Sequence, residues 1–167
     1  MLQPSDVLVL LALYSVDEDW TLRSIADRLG VKHSKVQRAL ERLERAGLYD
    51  PRRRKPVPSA TEEFLLHALR FLHPVAEGPL VRGFATAWGA EPLRLEISST
   101  EPPPVWPHPA GPVRGPGIEP LDARLPALVQ SWPEVAAMAA VADGLRVGDT
   151  RTREAAAEHF RLMLASR

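Results

Sequence analysis

TLRSIADRLGVKHSKVQRALERLERAGLY, residues 21–49, divides into two amphipathic helices about a single glycine. Ile25, Ala26 and Leu29 recur at the spacing that places them on one helical face, and Val36, Leu40 and Leu43 repeat the pattern after Gly30. Each helix therefore has one face to bury. Glycine at 30 accepts the left-handed conformation needed to end the first helix and turn the chain. Thr21 stands where a hydroxyl can cap the first helix. Ala26 is small enough for two helices to cross closely. The basic residues Arg23, Arg28, Lys32, Lys35, Arg38, Arg42 and Arg45 are left for solvent or phosphate.

Two helices in this order, with a basic second helix, form the pattern of a helix-turn-helix. The residues Thr21 to Val31, Ser34 to Leu40 and Leu43 to Leu48 resemble the winged helix-turn-helix domain of bacterial transcriptional regulators, a group that includes the MarR-like and GntR-like repressors. The resemblance covers roughly the first 75 residues. It implies that the second helix enters the DNA major groove and that Ala46-Gly47-Leu48 leads into the first strand of a wing. By position, it implies base-facing roles for Lys32, His33, Ser34, Lys35, Gln37 and Arg38.

Local charge agrees with that placement. The whole chain is neutral, with 21 basic and 21 acidic residues. Residues 21–55 nevertheless carry 11 basic against four acidic residues, a net of +7 balanced by −7 elsewhere. A positive face on a neutral protein is the footprint of a DNA binder, because phosphate contacts supply affinity and make it salt-dependent. An ion-paired, solvated helix face such as Glu41 with Arg45 explains the charges but not the glycine turn. The expected DNA-contacting set is Arg23, Lys32, His33, Ser34, Lys35, Gln37, Arg38 and Arg42, with Arg52, Arg53, Arg54 and Lys55 on the wing. Arginine abundance alone carries little weight, since the chain has 18 arginines, three lysines and no asparagine.

The wing itself reads from LYDPRRRKPVP, residues 48–58, with an Asp-Pro turn signal before four consecutive cations. Pro56 and Pro58 donate no ladder hydrogen bond, so a long regular hairpin is not expected. A short ordered wing and a basic linker both satisfy the pattern, and both reach phosphate.

Ser5–Val16 is apolar enough for a helix buried on most sides, with Pro4 in its first turn. It is too short to span a bilayer and no small-residue cleavage site follows, so a cytoplasmic protein with no membrane contact is expected. After the wing, Ser59 and Glu62 stand in capping-box register ahead of one continuous apolar helix ending before Pro74. Such a helix is either sandwiched in the core or paired with a second copy of the chain, and pairing would set two reading helices about 34 Å apart. His67 and His73 receive no role.

Residues 76–121 are rich in Pro and Gly, with eight prolines between Pro102 and Pro120. Helix is excluded there. The tryptophans and aliphatic residues exceed what a solvated linker carries, so an extended segment wrapped over the helices and partly ordered by its tryptophans is expected. Leu93–Ile97 alternates as a short strand does. Arg82-Gly83 and Arg114-Gly115 fit ordinary turns. In residues 122–167, a helix opening at Trp132-Pro133 and a last helix capped by Asp149 or Thr150 form a C-terminal helical hairpin.

The expected fold is therefore mainly α: a winged helix-turn-helix with its following apolar helix (1–75), a Pro-rich extended middle segment (76–121) and a helical hairpin (122–167). Cysteine is absent, which removes disulfides, thiolate nucleophiles and cysteine zinc sites. The five histidines lie in no metal-ligand spacing, and there is no HExxH, Walker loop, GxGxxG after a strand or GxSxG elbow. Neither a metal nor a cofactor is expected, and the protein is not expected to be an enzyme. The residues favour a homodimeric DNA-binding regulator of transcription, a repressor by resemblance. The alternative is an antitoxin-type module that holds a partner protein through its C-terminal half and regulates its own expression by binding DNA. A third class, a winged domain serving RNA or structure, fits the exposed donors of the second helix less well.

Overall fold

The computed structural model describes residues 1–166. Its helices, in chain order, are α1 (Pro4–Leu13), α2 (Leu22–Leu29), α3 (His33–Arg45), α4 (Pro58–His67), α5 (Leu69–Leu72), α6 (Leu125–Ser131), α7 (Pro133–Val147) and α8 (Thr150–Ala165). The strands are β1 (Tyr49–Asp50), β2 (Lys55–Pro56), β3 (Leu80–Ala85), β4 (Val105–Pro107) and β5 (Val113–Pro116).

Two helices without a polar face set the architecture. In α1 every residue from Asp6 to Leu13 is buried, and in α7 ten residues from Val135 to Leu145 are buried. A helix apolar on all sides has to be surrounded. α1 packs on α3 and α7, and α7 in turn touches α4, α5, α6 and α8. One continuous hydrophobic core consequently runs from Val7 through Ile25, Val36 and Leu65 to Val141 and Phe160. Of the C-terminal hairpin, α7 lies at the centre of the molecule and α8 buries one face. α7 and α8 do pack together across Gly148–Asp149, but the preceding helix α6 and the interior position of α7 make the three sequence segments share one core.

The Pro-rich middle is more regular than its composition suggests. β3 is the central strand of an antiparallel sheet in the order β4-β3-β5. It contains no proline, whereas Pro107 and Pro116 lie in the edge strands, where a missing amide breaks no ladder. Arg82 pairs with Arg114 across β3 and β5, so the arginine-glycine pairs are strand residues and not turns. A Cβ at Gly83 would lie 2.1 Å from the Trp106 carbonyl oxygen, and only glycine permits that approach. Leu93–Leu95 is a 3₁₀ turn and not a strand. With Leu93 fully buried and Leu95 73% exposed, the alternation reflects burial in a turn.

The sheet is anchored to α7 through a buried polar cluster. Asp143, on α7, accepts from Thr86 Oγ1 and Trp106 Nε1, both at 2.7 Å, and from Arg146 Nη1 at 2.8 Å. Arg146 also donates to the His73 carbonyl at 2.9 Å. Burial pushes the Asp143 carboxyl up, and the neighbouring Arg146 guanidinium and the Thr86 and Trp106 donors oppose that rise.

The expected single helix after residue 58 is broken at Ala68 into α4 and α5. The break turns Leu69 fully into the core and leaves Phe71 and Leu72 67% and 55% exposed. Nor does Ser59 cap it. Val57 precedes the first turn, its amide held by the Leu48 carbonyl at 2.9 Å, and Pro58 takes the first helical position.

The Asp149 cap forms as expected, its carboxylate accepting from the Thr152 amide at 2.8 Å. That bond holds the Asp149 carboxyl below its ordinary range. A lowered folded-state value contributes stability above the unfolded value that is lost as pH falls through the folded one. Asp149→Ala should therefore lower the melting temperature at neutral pH. Thermal unfolding of both proteins, followed by circular dichroism, should show the difference shrinking below about pH 4. An equal difference at both pH values would mean that the carboxylate does not act through its charge.

Candidate nucleic-acid interface

Thr21 opens α2 by accepting from the Ser24 amide at 3.0 Å. Ile25, Ala26 and Leu29 face inward. Gly30 then adopts φ 72° and ψ 35°, the left-handed conformation that ends the helix. The Val31 amide reaches back to the Ala26 carbonyl at 2.9 Å and closes the turn. From Lys32, in extended conformation, the chain enters α3.

Val36, Ala39, Leu40 and Leu43 seat α3 in the core. That leaves Lys32, His33, Lys35, Gln37 and Arg38 exposed, with Ser34 half-buried beside them. These side chains share the amino-terminal half of α3, and Arg23 is exposed on α2. Gln37 has only a long 3.5 Å contact to Glu41 within its own helix. The set provides cationic and amide donors suited to phosphate and to base edges.

Arg42 is differently placed. Its guanidinium grips Asp6 of α1 through Nε and Nη2, each at 2.8 Å, and the Asp6 side chain is fully buried. Expected at the DNA surface, Arg42 ties α3 to α1. Nothing local in the sequence points to this pair, because Asp6 looks like an ordinary first-turn acid.

After α3, Gly47 takes φ 75° and the chain forms a hairpin of two residues per strand, Tyr49 opposite Pro56 and Asp50 opposite Lys55. Asp50 Oδ1 accepts from the amides of Arg52 and Arg53 at 2.9 and 3.2 Å and shapes the turn. The four cations divide into two pairs. Arg52 and Arg53 project outward, Arg53 lying 3.7 Å from Asp50. Arg54, with φ 55°, stacks on Trp20 at 4.5 Å from the ring centroid and donates to the Trp20 carbonyl. Lys55 pairs with Glu18 at 2.9 Å.

One cleft was not foreseen. Gln3 and Arg124 join Lys32, Ser34, Lys35, Arg38 and Arg42 around an open depression of about 550 Å³. Arg124 lies far along the chain and in no motif, so no spacing rule could associate it with α3. The C-terminal half also braces the motif at Arg28, whose guanidinium lies 3.8 Å over the buried Trp132 ring.

Residues 2–48 match the family model described as a helix-turn-helix domain. The match spans α1, α2 and α3 and ends before the hairpin. The amino-terminal part of the chain is thus a helix-turn-helix domain of the DNA-binding type. No curated protein and no solved structure matches the chain. Among the described residues, no helix is long and apolar enough to cross a membrane.

Proposed function

We propose that the protein is a sequence-specific regulator of transcription in the cytoplasm, binding double-stranded DNA as a homodimer, with α3 as its reading helix. It is a binding protein and not an enzyme. The observation that carries the reading is the amino-terminal half of α3, where Lys32, His33, Lys35, Gln37 and Arg38 stand exposed on a helix whose other face is fixed in the core. Arg52 and Arg53 of the hairpin supply phosphate contacts in the manner of a wing.

The test begins by selecting bound duplexes from a random pool. With a selected site in hand, Arg38→Ala or Gln37→Ala should weaken specific binding by about 1–3 kcal/mol and relax base preference. Arg52→Ala with Arg53→Ala should weaken all sequences alike. If all these variants weakened selected and unselected duplexes equally, base readout by α3 would be wrong.

Homodimerisation is supported by the exposed side chains of Phe71 and Leu72 on α5, since adjoining apolar groups favour a covering partner. Sedimentation equilibrium of the whole chain should give twice the monomer mass, and Phe71→Glu should abolish the doubling. A monomer at DNA-binding concentrations would refute the dimer. In the antitoxin-type reading a different protein is held, through the C-terminal half of the chain.

A further inference from the structure

We infer that the DNA-binding face extends beyond the helix-turn-helix and that Arg124, in the turn before α6, contacts a backbone phosphate beside the site read by α3. This rests on the DNA-binding reading above and assigns to it a residue outside the matched domain. The cleft at α3 brings Arg124 together with Lys32, Lys35, Arg38 and Arg42. Against these five cations stand three carboxylates, Asp6 and Asp122, each paired with one of them, and Glu41, whose charge acts on Arg42. The cleft stays net positive, and a polyanion beside α3 is its natural occupant.

Arg124 is arranged to serve such an occupant. Its Nη1 binds Asp122 Oδ1 at 3.0 Å and Oδ2 at 3.3 Å. Nε and Nη2 have no hydrogen-bond partner among the described residues. Asp122 also accepts from the Arg124 amide at 2.9 Å, which fixes the backbone from which the side chain projects. The Asp122 side chain is 6% exposed and that of Arg124 37% exposed. The carboxylate is thus inside and the guanidinium outside, an oriented pair with its positive end toward the cleft. Arg124 lines the cleft beside α3 with two donors not engaged by the described residues.

The two members make opposite predictions, which separates a DNA contact from a fold contact. Binding of a fluorescent duplex of about 30 base pairs carrying a site selected from the random pool is measured by anisotropy across a series of salt concentrations, with melting curves recorded in parallel. Arg124→Ala should weaken binding about three- to tenfold at low salt and reduce the slope of log affinity on log salt by about 0.9, the signature of one lost phosphate. Asp122→Asn keeps an oxygen for the Arg124 amide while removing the opposing charge, and should tighten binding about twofold or more. Arg124→Lys should retain the native slope. Native affinity and slope in Arg124→Ala, alongside weakened Arg38→Ala, would overturn the role of Arg124 and leave the reading by α3 intact. Failure of the native chain to bind any duplex would overturn both. Weakening in both Arg124→Ala and Asp122→Asn, with lowered melting temperatures, would show a purely structural pair.

Discussion

Asp143→Ala is expected to destabilise the protein by about 3–5 kcal/mol, a large part of the roughly 5–15 kcal/mol that holds a domain folded. The substitution removes the acceptor for three donors at once. Trp106 Nε1 and Thr86 Oγ1, both bound to Asp143 at 2.7 Å, lose their partner in the buried interior. Arg146, whose side chain is only 5% exposed, is left with a positive charge and two carbonyl contacts, to His73 and Glu119. A buried charge without its counterion is the expensive case. Asp143→Asn should cost less, because its amide oxygen still accepts from Trp106 or Thr86. Urea unfolding followed by both circular dichroism and tryptophan fluorescence would measure this. A loss below about 1 kcal/mol for Asp143→Ala would mean that the sheet is held to α7 by apolar packing alone.

The same network shows where sequence reading stops. Gly30, with Ile25 and Leu29 before it and Val36, Leu40 and Leu43 after it, announces α2 and α3 because helical periodicity and turn chemistry are local signals. Asp149 is legible as a cap for the same reason. Asp143 is not, because an acid within an alanine-rich helix looks solvent-facing until β3 and β4 bring Thr86 and Trp106 to it. The sheet is equally hidden. β3 pairs with β4 and β5 at separations of 20 residues or more, and the prolines that suggest irregular chain are those that edge strands tolerate. Within the candidate interface, the exposed residues of α3 follow from periodicity. The pairing of Arg42 with Asp6 and the arrival of Arg124 depend on tertiary packing, and no spacing encodes them.

Arg42→Ala should be the second large effect, near the lower end of the cost of breaking a buried ion pair, about 3 kcal/mol. Asp6 would keep the Gln3 amide, at 2.8 Å, and the favourable field at the start of α1, but its fully buried carboxylate would lose both guanidinium bonds. The Arg42 side chain is 22% exposed, so water partly replaces it and the loss stays below that of Asp143→Ala. Since this pair joins α1 to α3, its loss should also loosen the helix that carries Lys35 and Arg38 and reduce DNA affinity without any direct contact. Two explanations for weakened binding, a lost phosphate contact and a loosened helix, then have to be separated. Placing Arg42→Ala in an Asp6→Asn background does so, because the carboxamide oxygen introduced there still accepts from the Gln3 amide and the side chain carries no charge that needs Arg42. The stability cost of Arg42→Ala should shrink by at least about 1.5 kcal/mol in that background, the non-additivity expected of residues in contact. Chemical denaturation of the four proteins of the cycle gives this coupling, and additive costs would show that Asp6 does not depend on Arg42. With the coupling present, restored stability together with restored affinity in the double variant assigns Arg42 to positioning α3. Restored stability with affinity still lost assigns it to the phosphate as well.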